Sequence, residues 1–220
     1  MEKETQGNVA KPSIFGMILS PSEQLGKVRE TPRIWIPLLI VTLLYTIASI
    51  ILAVSMTVED IIVPGISVEE AELFLGFTKI TTAVSGVIAP IFSILVSTVI
   101  YLIIIKIFKK DATFKQLFSM NTHITFIGAI GLLLNNIIQS AIGGKVGIYV
   151  TSLAGLLNSD SLVLATFEVF SIWTVVLTAI GLQKVGKLSK GAAWTFAIAF
   201  FLVSVGMAAL GAAFEGIAGM

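Results

Sequence analysis

With 220 residues, 56% hydrophobic and only 12% charged, the chain has too few charges to coat a soluble globule, so lipid must replace its wetted surface. A formal net charge of +1 gives no basic field for nucleic acid. The absence of cysteine excludes disulfide frameworks, thiolate metal sites, cysteine nucleophiles and lipidated cysteine anchors.

In chain order, residues 1–13 are polar and are expected to form a mobile N-terminus. The apolar patch Ile14 to Leu19 is too short for a secretory signal core and lacks a small-residue cleavage site. Residues 14–33 read as a helical arm. Ser20-Pro21-Ser22-Glu23 has the spacing of an N-cap, a proline at the first helical position and a capping-box glutamate. Pro32 ends the helix, because the residue before a proline avoids the helical region. Phe15, Ile18, Leu19, Leu25 and Val28 form an apolar side beside Lys27, Arg29 and Arg33. That pattern suits an arm lying at the inner membrane interface near anionic headgroups, or a docking site for a cytoplasmic partner.

Residues 34–214 read as an all-α membrane domain of five transmembrane helices, followed by a short outer tail, 215–220. A spanning helix needs about 20 mostly apolar residues. Ile34 to Met56, Ile80 to Ile105, Leu117 to Ile142, Ser161 to Gln183 and Gly191 to Phe214 qualify. Ten-residue alternating segments do not recur, so a β-barrel is not supported. Between the first two spans lie Glu59, Asp60, Glu69, Glu70 and Glu72, without the alternation and turn glycine of a calcium loop. Ser67 to Glu70 has capping-box spacing and predicts a short helix leading into the second span. Pro90 predicts a kink in that span, whereas Pro37 sits near the start of the first and disturbs it less. Small residues recur at i, i+4 in the second span (Thr81, Ser85, Ala89, Ser93, Ser97) and the fifth (Ser204, Ala208, Ala212, Gly216). Such stripes predict close helix packing inside the bundle, and are also compatible with a homo-oligomer or a partner interface.

Lys and Arg gather before the first span, between the second and third, and between the fourth and fifth; only Lys79 and Lys145 fall on the other side. The positive-inside rule then puts the N-terminus in the cytoplasm and the C-terminus outside.

Within the five spans Glu168 is the only residue among Asp, Glu, Lys and Arg. Helical rise places it roughly 10 Å inside the outer boundary, level with Asn135, Asn136 and Gln139 of the third span, which runs the other way. Asn135 and Gln139 share a helix face at i, i+4. A buried polar cluster of Glu168 with Asn135, Asn136 or Gln139 is expected, with Lys79 as the nearby cation. Two readings of it stand: a proton or cation site, and a hydrogen-bond clamp that fixes helix register. His123 lies towards the inner end of the third span, away from Glu168, so the two do not pair. A lone histidine is no metal site, and HExxH, GxSxG and GxxxxGK[ST] are absent. No catalytic, cofactor-binding or metal residue is assigned, and an enzyme is not expected.

The stretch FEVFSIWTVVLTAIGLQKVGKLSKGAAW, residues 167–194, resembles the bacterial branch of the Yip (Rab/Ypt-interacting protein) domain family. The residues that carry the resemblance are Glu168, Phe170, Ile172, Trp173, Leu177, Gly181, Leu182, Ser189, Lys190 and Ala192, joined by Pro21, Pro32 and Pro37 at the entry to the first span. The family usually has Asp where this chain has Glu168. The resemblance covers about residues 15–210 and implies a non-enzymatic integral membrane protein of five spans with a cytoplasmic N-terminus. It links eukaryotic members to membrane trafficking and bacterial ones to transporter accessories or envelope-stress systems. A Rab-binding role does not carry over, since a long cytoplasmic domain is lacking. The resulting expectation is a multi-pass adaptor in a bacterial cytoplasmic membrane that modulates another membrane complex, such as an ABC-type exporter. The alternative is a small transporter or channel subunit with a polar path at Glu168 and the third-span amides.

Overall fold

The computed structural model describes residues 11–62, 65–143 and 146–218, with side chains as far as Phe214. Most of the expected mobile N-terminus, Lys145 and the end of the outer tail lie outside the described residues. Among the described residues the secondary structure is helical apart from one antiparallel bridge, Ser152 to Glu168. The arm holds α1 (Gly16–Leu19) and α2 (Pro21–Glu30). Then come α3 (Trp35–Ser55), a 3-10 turn (Val58–Asp60), α4 (Val68–Ile107) and α5 (Phe114–Ile142). Two short helices, α6 (Leu153–Leu156) and α7 (Leu162–Thr166), precede α8 (Val169–Lys184) and α9 (Lys190–Ala218).

Four helices are long and apolar enough to cross a membrane: α3, α4, α5 and the Lys190–Phe214 part of α9. The expected fourth span, Ser161 to Gln183, is not one helix. It breaks at Phe167 and Glu168 into α7 and α8, and α8 alone has 16 residues. At the helical rise that is about 24 Å, short of a hydrocarbon core of about 30 Å.

The capping box at Ser67 forms: its hydroxyl accepts the Glu70 N–H, and the Glu70 carboxylate accepts the Ser67 N–H at 2.9 Å. Those bonds hold the Glu70 carboxyl below the usual carboxylate range. The cap does not start a separate short helix. It starts α4 itself, which runs through Pro90 as one 40-residue element of about 60 Å, far longer than the bilayer core. The face of α4 turned to the bundle carries Gly86, Pro90, Ile94, Thr98 and Ile105. At Gly86 a Cβ would stand 2.7 Å from the Ser49 side chain and 2.9 Å from the Tyr45 carbonyl, so α3 and α4 approach through that hydrogen. Thr81, Ser85 and Ala89 point away from the bundle, as does Ala212 on α9. The expected internal packing stripes are therefore largely external, and other residues make the internal contacts.

The core is built around α5, with Leu117, Met120 and Ile124 against Leu177 and Leu182 of α8 and Leu25 and Val28 of α2. The arm is thus packed against the bundle. Its N-cap also differs from expectation. Ser20 makes no side-chain cap; Gln24 captures it instead, donating to Ser20 Oγ at 3.3 Å while accepting the Ser13 N–H at 2.8 Å. Arg29 donates to the Val185 carbonyl at the C-terminal end of α8 (2.5 Å) and pairs with Asp111 (2.8 Å). Gln116 and Ser119 of α5 donate to the Arg29 and Arg33 carbonyls, at 2.7 and 2.6 Å.

Candidate functional site

The break in the fourth expected span builds the site. A helix that starts away from water leaves its first N–H groups without partners unless the protein supplies them. Here the segment between α5 and α6 supplies part of the answer. The Val169 N–H donates to the Thr151 carbonyl at 3.2 Å, and the Leu153 N–H to the Phe167 carbonyl at 3.0 Å. Glu168 supplies the rest as the N-cap of α8: its Oε2 accepts the Ser171 N–H at 2.7 Å, and its carbonyl accepts the Ile172 N–H at 2.9 Å. A carboxylate at a helix N-terminus also meets the positive end of the helix dipole.

Glu168 Oε1 is held by two further side chains. Asn135 donates to it at 3.3 Å and Thr151 lies 2.7 Å away, with Thr151 also 2.8 Å from Asn135 Oδ1. Asn135 and Glu168 are both buried. Asn136 is turned elsewhere, donating to the Ala48 carbonyl of α3 at 2.9 Å, and it shares a small polar pocket with Gln139 and Asp60. Lys79 reaches the Val54 carbonyl at the end of α3 rather than Glu168. His123 is fully buried; its Nδ1 donates to the Ser119 carbonyl at 2.7 Å, and its Nε2 has no hydrogen-bond partner among the described residues. Among the described residues no group of three or more His, Asp or Glu side chains is placed to hold a metal ion. Thr151 was missing from the sequence reading. The signal for it is the Thr-Ser pair inside the otherwise apolar run IYVTSLAGLL.

Among the motif residues around Glu168, Phe170 and Gly181 have packing roles. Phe170 fills the place of a side chain at Gly131, where a Cβ would stand 2.4 Å from its ring. Gly181 lets α8 meet Met120 of α5, where a Cβ would lie 2.8 Å from the sulfur. Ile172 and Trp173 face outward, Ser189 accepts the Ala192 N–H at the start of α9, and Lys190 is exposed beside it.

Glu168 and Asn135 also line a cavity of about 480 Å³ between α4, α5, α8 and α9. Its wall is polar by membrane standards, with Asn121, Thr125, Thr174 and Thr178 below the Glu168 level. Asn121 donates to the Ile94 carbonyl and to Ser97 Oγ, tying α5 to α4 across it.

Residues 15–213 match the family model described as the Yip1 domain. The chain is similar to "Membrane protein YknW" of Bacillus subtilis (strain 168), at 34% identity over 212 residues, covering 93% of this chain and 92% of that one. No solved structure matches.

Proposed function

We propose that this chain, which belongs to the Yip1 domain family, is a non-enzymatic adaptor that docks another membrane protein in a bacterial cytoplasmic membrane. The observation that carries this reading is the outward direction of the small-residue stripes. Thr81, Ser85 and Ala89 of α4 are exposed, although such residues are of most use where a second helix approaches closely. Beside them, Ile80, Val84 and Ile88 complete a shallow groove. The outer end of α4 adds exposed Leu73, Phe74 and Phe77 on a helix longer than the bilayer is thick.

In this reading α7 and α8 together make a fifth crossing, with the N-terminus inside and the C-terminus outside. The distribution of Lys and Arg supports that orientation. An ABC-type exporter or an envelope-stress system is the class of partner that the family resemblance suggests. The Glu168–Asn135–Thr151 cluster acts as a clamp that starts α8 inside the membrane.

The test is co-purification from native membranes of the wild type and a Ser85→Leu/Ala89→Leu variant. The wild type is expected to retain a stoichiometric membrane-protein partner, and the variant to lose it with unchanged thermal unfolding of its own. A wild type that returns no such partner, or a variant that keeps it, contradicts the adaptor reading. The cavity beside Glu168 favours a second reading, a small transporter subunit. Proton or cation flux in liposomes that Glu168→Gln abolishes would establish that reading in place of the first.

A further inference from the structure

The cavity reaches the surface between α4 and α9. α4 and α9 touch through two edge-to-face ring pairs, Tyr101 with Phe200 and Phe108 with Phe196, towards the inner ends of both helices. Further out, Ser93 of α4 and Ser204 of α9 line the cavity and are both exposed, so they mark its mouth between the two helices. A volume of about 480 Å³ is within the ordinary range of small-ligand sites and far more than an isolated water needs.

The wall is rich in acceptors. Thr125 and Thr174 donate their hydroxyl protons to the Asn121 and Phe170 carbonyls of their own helices, both at 2.8 Å, and Ser204 donates to the Phe201 carbonyl at 2.7 Å. Each hydroxyl oxygen keeps its lone pairs for a donor in the cavity. Glu168 is the one charged residue in the lining; no Lys, Arg or His accompanies it. Its Oε1 takes Asn135 and Thr151, while Oε2 accepts only the Ser171 N–H among the described residues. A carboxylate offers about four acceptor positions, so Oε2 has room for one more donor. The aromatic rings of Tyr45, Tyr149 and Phe170 complete the wall and suit a cation. An anionic headgroup would meet a carboxylate with no counter-charge, and a neutral alcohol would leave most acceptors without a donor.

We propose that this lateral cavity binds the head of an amphiphile carrying a protonated primary amine, with its aliphatic chain leaving between Ser93 and Ser204 into the lipid. An ammonium has three donors and no acceptor, which suits the open acceptors at Glu168, Thr125, Thr174 and Ser204. The site does not depend on a docked protein partner, so it stands or falls separately from the adaptor reading.

The experiment compares hexadecylamine, hexadecanol and hexadecanoate, identical in chain and different in head, by native mass spectrometry of the protein released from neutral-detergent micelles. The wild type should retain the amine at least about tenfold better than the alcohol, the scale of one charge-assisted hydrogen bond. Glu168→Gln, which keeps an acceptor but removes the charge, should bring the amine down to the alcohol's level. Ser204→Trp fills the mouth from an exposed position without touching the clamp and should remove amine binding even if Glu168→Gln does not fold. Equal retention of the three heads, no retention of the amine, or amine binding that survives Ser204→Trp overturns the proposal.

Discussion

α5 and α9 have the same length, 29 residues each, and opposite surroundings. In its most apolar stretch α5 is 67% buried and α9 only 6%, yet α5 is the less apolar of the two. In water that ordering would be inverted. In lipid it follows from the cost of leaving polar groups in hydrocarbon. α5 carries Asn121, His123, Asn135, Asn136 and Gln139, all buried, and the side-chain amides of Asn121, Asn135 and Asn136 each donate to another element. α9 faces lipid with Leu202, Val203, Met207 and Leu210, which need no partner. The helix that looks least like a membrane span is therefore the one that organises the others.

Paired substitutions can break this contrast. Leucine at Gly131 of α5 meets the Phe170 ring at once and should cost about 3 kcal/mol or prevent folding. Leucine at Gly206 of α9, where nothing lies within 4 Å of the added Cβ, should change stability by less than about 0.5 kcal/mol. Denaturant unfolding in micelles checks both, and equal effects would remove the distinction between a buried and a lipid-facing helix.

A smaller effect is expected at the end of the bundle where the arm is pinned. Arg29→Ala removes the bond to the Val185 carbonyl and a cation at the C-terminus of α8, and should cost about 1–2 kcal/mol. Limited proteolysis of the arm would report the loosening as faster cutting; an unchanged rate would mean that the apolar contacts alone hold it.

The smallest effect is a pH dependence. The Arg29 guanidinium hydrogen-bonded to Asp111 holds its carboxyl below the ordinary aspartate range. Because the folded-state pKa is the lowered one, the pair's contribution is complete above the ordinary aspartate pKa. It fades as pH falls through the lowered value. Asp111 is largely exposed, so the contribution should be slight and weakened by salt. Arm proteolysis that accelerates on acidification in wild type but not in Asp111→Asn is the expected pattern; acceleration in both would place the sensitivity elsewhere.

The sequence showed the helical class, the segments that became α3, α4, α5 and α9, and the cap at Ser67. These depend on local composition and on bonds within one turn. The Ser20 cap failed because its hydroxyl is engaged by Gln24, which also bonds Ser13, eleven positions before Gln24. The stripes on α4 and α9 were visible, but which side they face depends on neighbours that no single helix encodes. Depth reckoning put Glu168 level with Asn135 and Asn136, and a distance of 3.3 Å now joins the first of these to the acid. Adjacent helical positions point about 100° apart, so Asn136 faces α3 instead. The break at Phe167 was hidden, because its extended backbone is completed by residues 151–153, a stretch that reads as ordinary loop.

Glu168 tests the central claim most directly, by thermal unfolding of Glu168→Leu and Glu168→Gln in the same micelles. If the acid merely intruded into oil, leucine would be gained in stability by about 3 kcal/mol on insertion scales. A carboxylate that caps α8 and holds Asn135 and Thr151 gives the opposite sign. Leucine should then cost about 2–3 kcal/mol, and glutamine, which keeps an acceptor, less than half of that. A leucine variant as stable as the wild type, or more so, contradicts the account.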